Sequence, residues 1–458
     1  MKHVLDQSRD ACARPADLSR SSGVAALTSS DDGGILRFET TLRRTHTVTL
    51  TRDLLEPGNA LLRDAVGGRR ALVVLSPSIQ RLYEGRVRAY FAAGSHGEMP
   101  TFMVLGHAES SKSLRAAVEV CERATVAGLG RTSPIVAIGG GVCSDICGLA
   151  AAIHDRGIPH IKVPTTLIGL VDAGIATKNA VNHAGRKSAL GSFYPPEHSL
   201  LDLDFLATLP RRHIVGGIAE IIKLAAVTNE SLFAQLVRDA LALIASSFQF
   251  PAAAATRVVS LAAIGMLVEL ARNPFEIGDF RRPMDFGHTF SPYFEVASSY
   301  AILHGEAVAM DMALSCQIGG ELGMLSWDDA DRIISLIEQV GLELTWAGAS
   351  VDDLWASLPS VEQHRNGDLH LVVPTRIGSC DYVGMEMLSP QLLRRCLDQL
   401  DARAATHARP QRFDRGEDWM PLSGRVARVG GERSVAAGVD DDEDGEPGAP
   451  RLVRGPTS

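Results

Sequence analysis

Over the first part of the chain, short apolar runs alternate with longer amphipathic ones. Arg37 to Leu42 and Thr45 to Thr51 alternate as strands do, and Ala71 to Leu75 and Phe102 to Leu105 are continuous apolar runs that suit buried strands. Gln80 to Ala93 and Ser111 to Ala127 carry helical spacing. Pro134 to Ile138 reads as a further strand that breaks into Gly139-Gly140-Gly141, and Cys147 to Ile153 follows as a helix. Strands alternating with helices predict an α/β domain over residues 35–206, with a mainly parallel, Rossmann-like sheet covered on both faces.

From about residue 207 the period changes. Ile214 to Val227, Leu232 to Ser247, Pro251 to Leu270, Phe290 to Ser298, Gly305 to Glu321 and Asp329 to Val340 read as helices. Val351 to Leu358 and Pro390 to Asp401 add shorter ones, and Leu369 to Pro374 reads as an isolated strand. A helical second domain is expected over residues 207–401. Residues 1–34 are polar and irregular, which predicts a mobile leader. Residues 402–458 are rich in Arg, Gly, Asp and Pro and include the acidic run Asp440 to Asp444, which predicts a disordered tail.

Composition narrows the function classes. A chain of 458 residues with formal net charge -9 and no long basic stripe argues against nucleic acid as the main partner. No stretch of about 20 apolar residues is read, so no membrane span is expected. The seven cysteines are odd in number and scattered, which fits a reducing cytoplasm better than a disulfide framework. Cys143 and Cys147 share a helical face, but no second pair completes a zinc knuckle, so they read as small core residues.

The chemistry concentrates around the glycine triplet. A strand that ends in glycines and feeds a helix N-terminus can hold a nucleotide pyrophosphate on free N–H groups; read alone, the triplet also suits a tight turn. Downstream come Pro164-Thr165-Thr166, Asp172, Lys178-Asn179 and Arg186-Lys187-Ser188, more polar residues than a core would carry. In the helical part, Glu220 and Lys223 share one face of an apolar segment, for which a buried ion pair is the plain reading. Glu220, His288 and His304 from three segments would also suit Zn2+ or a similar divalent ion with open coordination positions, although two histidines so spaced are often unconnected.

The motifs GGGVCSD, PTTL, VDAG, TKNAVN, GRKSALGSF, LATLP, GIAEIIK, FGHTF and LHGEAVAM occur in one order. Together they resemble the sugar phosphate cyclase superfamily, whose best-known member is 3-dehydroquinate synthase, from about residue 37 to 400. The resemblance implies an NAD-binding α/β domain, a helical domain with a metal in the cleft, and a homodimer. It implies Glu220, His288 and His304 as ligands of Zn2+ or Co2+. It implies Gly139, Gly140, Gly141, Asp145, Glu109, Lys112, Thr165, Thr166 and Thr208 as dinucleotide contacts, with Asp172 and Lys187 adding to them. Asp172, Lys178, Lys187 and Lys223 resemble the polar lining that holds substrate hydroxyls and phosphate, and Arg156 the arginine that reaches a phosphate in the neighbouring subunit. The family reaction oxidises one ring carbon transiently with NAD, eliminates phosphate, returns the hydride, opens the ring and closes a carbocycle by an aldol step.

Departures from dehydroquinate synthase bear on the substrate. That enzyme holds a substrate carboxylate with cations, one of them a lysine that aligns with Leu267 here. Asp285 stands where the family has asparagine, Pro292 where it has a second histidine, His364 where it has a late lysine, and Ser188 where it has asparagine; Arg281 is retained. A leucine cannot pair with a carboxylate, and burying that anion unpaired is costly. The combination resembles the branch that cyclises sedoheptulose 7-phosphate, and within it the 2-epi-5-epi-valiolone synthases, which open routes to C7-cyclitol natural products. Cyclases making 2-epi-valiolone or desmethyl-4-deoxygadusol share most of these motifs, and dehydroquinate synthase is the further alternative. Leu75-Ser76-Pro77-Ser78 lacks the acidic residue that commonly holds the adenosine ribose in this family.

Overall fold

Six parallel strands carry the first half of the molecule. The computed structural model describes residues 25–29, 36–94, 97–106, 108–184, 186–365 and 367–406. Strands β1 (Ala25–Ser29) and β2 (Leu36–Thr40) pair antiparallel. The main sheet is built from β3 (Thr47–Thr51), β4 (Leu72–Leu75), β5 (Thr101–Val104), β6 (Ile135–Gly139), β7 (His160–Pro164) and β10 (His198–Asp202), in the order β3-β10-β7-β6-β4-β5. Every pairing in it is parallel.

Helices α1 (Leu61–Val66), α2 (Pro77–Ala92), α3 (Leu114–Val126) and α4 (Gly141–Ile153) flank this sheet. Side chains alternate across it, as the period of two requires. Val73 and Leu75 join Ile79, Tyr83 and Val87 of α2 on one face, while Leu72 and Val74 join Val120 and Ile146 on the other. Both faces are therefore buried, which explains why the strands read as continuous apolar runs. The chain leaves β4 toward β5 and returns through α3 to β6 on the other side of β4. That reversal opens a crevice at the C-terminal ends of β4 and β6, where open α/β sheets bind ligands.

A hairpin of β8 (Lys178–His183) and β9 (Arg186–Phe193) follows β7. Beyond β10 come α5 (Arg211–Thr228), α6 (Glu230–Ala245), α7 (Ala252–Arg272), α8 (Ser291–Ala297), α9 (His304–Glu321), α10 (Trp327–Gln339), α11 (Val351–His364) and α12 (Pro390–Thr406). Between the last two, β11 (Leu371–Arg376) pairs antiparallel with β12 (Ser379–Val383), so the strand expected to stand alone has a partner. Helix α11 continues through Pro359, past the end expected at Leu358. Helix α12 continues to Thr406, past the expected start of the tail. Of the expected leader only β1 is described; the rest of it, and the tail beyond Thr406, lie outside the described residues.

The two halves share a core. Leu167, Leu170, Val171, Leu201 and Leu206 pack with α5, α7 and α9 in one cluster, so the boundary expected at residue 206 is not a break in packing. Helix α5 is buried on every side from Ile214 to Val227. One described helix, α7, is long and apolar enough to cross a membrane by length and composition alone. Here its inner face, including Ala255, Val258, Val259, Ala262 and Met266, packs into the helical core.

Candidate active site

At the crevice, β6 ends in Gly139, and α4 starts at Gly141, earlier than the sequence pattern indicates. The free N–H groups of that first turn therefore open directly onto the glycines. A Cβ on Gly139 would come within 2.8 Å of the Cys143 side chain, and one on Gly140 within 3.2 Å of Thr166. Thr165 is buried and donates its N–H to Gly139 O at 2.9 Å; Thr166 Oγ1 accepts from Gly169 N at 3.1 Å. Lys112 Nζ pairs with Asp145 Oδ2 at 2.6 Å. Burial opposes the Lys112 charge, but Asp145 and Glu109 outweigh it and hold the ammonium above its ordinary range. Asn182 Nδ2 donates to Glu109 Oε1 at 2.9 Å, and Tyr83 OH meets Thr208 Oγ1 at 2.9 Å. Of the residues expected at the dinucleotide, Gly139, Gly140, Thr165 and Thr166 adjoin one another, Glu109, Lys112 and Asp145 form a charge cluster, and Asp172 and Lys187 pair with Lys223 and Glu295. Ser76 stands across from Gly139, its Cβ 3.4 Å from where a Cβ on that glycine would lie.

The second cluster hangs on α5. Glu220 and Lys223 sit where that helix is buried, so both are largely shielded from water. Glu220 Oε1 lies 3.1 Å from His304 Nε2 and 4.0 Å from His288 Nε2, and one ligand atom from each residue lies within 4.8 Å of the others. His304 is the first residue of α9, which crosses α5 where Gly216 and Gly305 meet. Arg212 locks the crossing: its guanidinium donates to both oxygens of Glu306, at 2.6 and 2.7 Å. His288 follows Gly287, whose φ of 73° is left-handed and favours glycine. Asp311, wholly buried, accepts the N–H groups of Phe290 at 2.5 Å and Ser291 at 2.9 Å, and so fixes the far side of the His288 turn.

This donor set suits a divalent cation. Both Glu220 oxygens are buried; Lys223 Nζ stands 2.6 Å from Oε2, and Oε1 faces the two imidazoles. His288 Nδ1 meets Phe286 O at 3.1 Å and His304 Nδ1 meets Glu295 Oε1 at 2.9 Å, so both Nε2 atoms are left to face Glu220. Two imidazole nitrogens and one carboxylate oxygen are a ligand set for Zn2+ or a similar ion with positions left open. Burial, with Lys223 adding, lowers His288 to about 3. Burial also acts against the His304 imidazolium, but Glu295 and Glu220 outweigh it and raise His304 to about 9. Glu220 is held well below its usual range by Lys223 and His304 against the opposing effect of burial.

Glu295, on α8, is a site residue that sequence reasoning missed. Its other oxygen accepts from Lys187 Nζ at 2.6 Å, giving a chain from Lys187 through Glu295 to His304. Burial pushes its carboxyl up, yet His304 and Lys187 bring it down to about 2, so it is ionised. Its signal was a lone carboxylate in the apolar run Pro292 to Ala297, the same signal that marked Glu220. A carboxylate behind a ligating imidazole orients the ring and raises its basicity. Glu295→Gln is expected to weaken zinc binding about 10- to 100-fold, measured by competition with a chromogenic chelator.

Around these residues every named cation has a carboxylate partner. Asp172 Oδ2 is 3.8 Å from Lys223 Nζ. Lys178 pairs with Glu276 at 2.5 Å, and Arg282 pairs with the same oxygen at 2.7 Å. Asp285 lies 3.5 Å from Arg282 and 3.4 Å from Arg365. Burial raises its carboxyl, but Arg282, Arg365 and Lys178 bring it down to about 2. The expectation for Arg281 is corrected: its side chain is exposed and paired with Asp279 at 3.2 Å, and its neighbour Arg282 is the one turned inward. His364 ends α11 and its side chain lies outside the described residues; the adjacent Arg365 is buried, and holds Leu369 O at 2.6 Å as well as Asp285. Arg156 is exposed in a left-handed turn with φ of 64°. Glu276, Arg282 and Arg365 lie in loops whose pairing has no periodic signature in the sequence.

Comparison with known proteins agrees with this geometry. Residues 102–216 match the family described as 3-dehydroquinate synthase N-terminal, and residues 217–361 its C-terminal counterpart. A 2-epi-5-epi-valiolone synthase of Streptomyces glaucescens is 38% identical over 361 residues, 78% of this chain and 92% of the relative. A 3-dehydroquinate synthase of Synechococcus sp. (strain CC9605) is 35% identical over 343 residues, 72% of this chain and 88% of the relative. Among solved structures, ValA, the 2-epi-5-epi-valiolone synthase of Streptomyces hygroscopicus subsp. jinggangensis 5008 with NAD+ and Zn2+ bound, superposes with a TM-score of 0.75 at 34% identity, over 80% of this chain and 99% of that one. With the glycine crevice, the Glu-His-His cluster and both matched halves in one chain, this protein belongs to the 3-dehydroquinate synthase family of sugar phosphate cyclases.

Proposed function

We propose that this chain is a 2-epi-5-epi-valiolone synthase, which converts sedoheptulose 7-phosphate to 2-epi-5-epi-valiolone and phosphate with NAD and one divalent metal, Zn2+ or Co2+. The observation that carries the reading is the charge balance around Asp285. An ionised aspartate, already holding two arginines, stands where a carboxylated substrate would need a neutral or positive partner. Leu267, half-buried on the helix that packs beside the Asp172 turn, offers no cation either. A substrate that presents hydroxyls to this wall needs no extra positive charge, whereas a carboxylate would be buried against Asp285.

In this reading Glu220, His288 and His304 hold the metal, with Glu295 and Lys187 behind them. When bound, NAD supplies a reversible hydride acceptor and the metal a Lewis acid. Gly139, Gly140, Gly141 and the first turn of α4 receive the pyrophosphate, while Asp145, Lys112 and Glu109 line the nucleotide side. Asp172, Lys178 and Lys223 orient ring hydroxyls, with Asp285 accepting from a hydroxyl. Arg282 and Arg365 take the place first expected of Arg281 and His364. Arg156, exposed beyond α4, would reach the partner's site in a homodimer. The free thiols among the described residues suit a reducing cytoplasm.

A glycerol dehydrogenase shares this architecture at 15% identity, so net oxidation is the competing outcome. Turnover of sedoheptulose 7-phosphate with NAD+ and Zn2+ is expected to give a carbocycle by NMR with no NADH absorbance accumulating. Stoichiometric NADH without a carbocycle would replace the proposal with a dehydrogenase.

A further inference from the structure

Lys162 lies in the middle of β7, paired in register with Ala137 on one side and Ser199 on the other. It is wholly buried in a parallel sheet, between the apolar Ile161 and Val163 along its strand. A lysine there loses its hydration and needs compensation. Its ammonium donates to Ala173 O and to Ala176 O, each at 3.0 Å. Those two carbonyls bracket the turn at residues 174–175, directly after the helical turn Gly169–Ala173 that carries Asp172. Ser199, the register partner of Lys162, donates to Gly174 O at 2.5 Å and in turn meets His46 Nε2 at 2.9 Å. The turn is therefore held from beneath at three of its carbonyls, those of Ala173, Gly174 and Ala176.

Above, the same turn touches both halves of the site. A Cβ on Gly141 would lie 3.4 Å from Ala173 Cβ, so the turn rests on the first residue of the glycine helix. On its other side Asp172 faces Lys223. Burial holds the Lys162 ammonium down to about 8, against the favourable charges of Asp145 and Asp172.

We propose that Lys162 is a positioning residue: it clamps the Asp172 turn against the glycine turn, and so sets both dinucleotide affinity and the place of Asp172 beside Lys223. This rests on the reading of the glycine crevice as an NAD site. An apolar side chain of similar length would remove a buried charge whose desolvation opposes folding, but would leave two buried carbonyls without their donor, so a modest net change in melting temperature is expected. Function and stability are then expected to separate.

The test compares Lys162→Met with Lys162→Gln, whose amide carries two donors and can still serve both carbonyls. Lys162→Met is expected to keep its melting temperature within a few degrees and its zinc affinity, yet to bind NAD+ about tenfold more weakly and turn over more slowly by a larger factor. Lys162→Gln is expected to recover most of both losses. Ser199→Ala, which removes the parallel donor to Gly174 O, is expected to show the same pattern in smaller measure, and serves if Lys162→Met does not fold. Unchanged NAD+ affinity in every variant, or losses that track melting temperature and are not rescued by Gln, would overturn the assignment. Failure of the unaltered protein to bind NAD+ at all would instead remove the NAD reading.

Discussion

Glu220→Ala is expected to strip the metal and lower turnover by more than the roughly 100-fold that loss of an outer partner produces. The carboxylate is the anionic member of the cluster, and both imidazoles face its Oε1. Without it only the two imidazoles remain as ligands, which is too weak a set to retain zinc through dialysis. Folding should survive in part, because alanine favours the helix and Asp172 still stands 3.8 Å from Lys223. Lys223 nevertheless loses its nearer counter-ion in a buried setting, so a lower melting temperature is expected. Glu220→Gln, which keeps the shape, separates the effects: metal content by mass spectrometry should fall in both variants while circular dichroism stays helical. Full activity in either would remove Glu220 from the metal site.

The second large effect is structural. A Cβ on Gly305 would lie 2.1 Å from Gly216 O, a backbone atom that cannot swing aside. Gly305→Ala must therefore push α9 away from α5, moving His304 relative to Glu220. The expected loss is on the order of 3 kcal/mol or more, with metal binding lost in whatever folds. The reciprocal change is mild, because a Cβ on Gly216 would meet only Gly305 Cα at 3.9 Å. Gly216→Ala is expected to stay within about 1 kcal/mol of the parent. Equal melting temperatures for the two variants would contradict the crossing described here.

Those two glycines also mark what a sequence reader can and cannot see. The strands β4, β5 and β6 were legible as apolar runs, and the long helices as periodic ones, because burial on one or both faces writes a period into the chain. Strands β7 and β10 were not, since Lys162 and His160 interrupt one and Ser199 the other. In β7 the interruption is the buried polar group that supports the site. The hairpin β8–β9 hid in a polar run, because β9 is largely exposed and few of the hairpin's apolar residues, such as Val181 and Leu190, reach the core. Glu220, His288 and His304 were assembled by resemblance, and by spacing alone they stayed one option among others. Glu276, Arg282 and Arg365 became visible only when the chain brought distant loops to Lys178 and Asp285. The choice between Arg281 and Arg282 could not be made without the turn that points one inward.

The central claim is that this site cyclises a heptulose phosphate lacking a carboxylate. Phosphate release, measured with NAD+ and Zn2+ or Co2+, should occur with sedoheptulose 7-phosphate and not with the carboxylated sugar phosphate that dehydroquinate synthases use. Release from the carboxylated sugar alone would mean that Asp285 and Leu267 do not exclude a carboxylate, and would make this chain a dehydroquinate synthase.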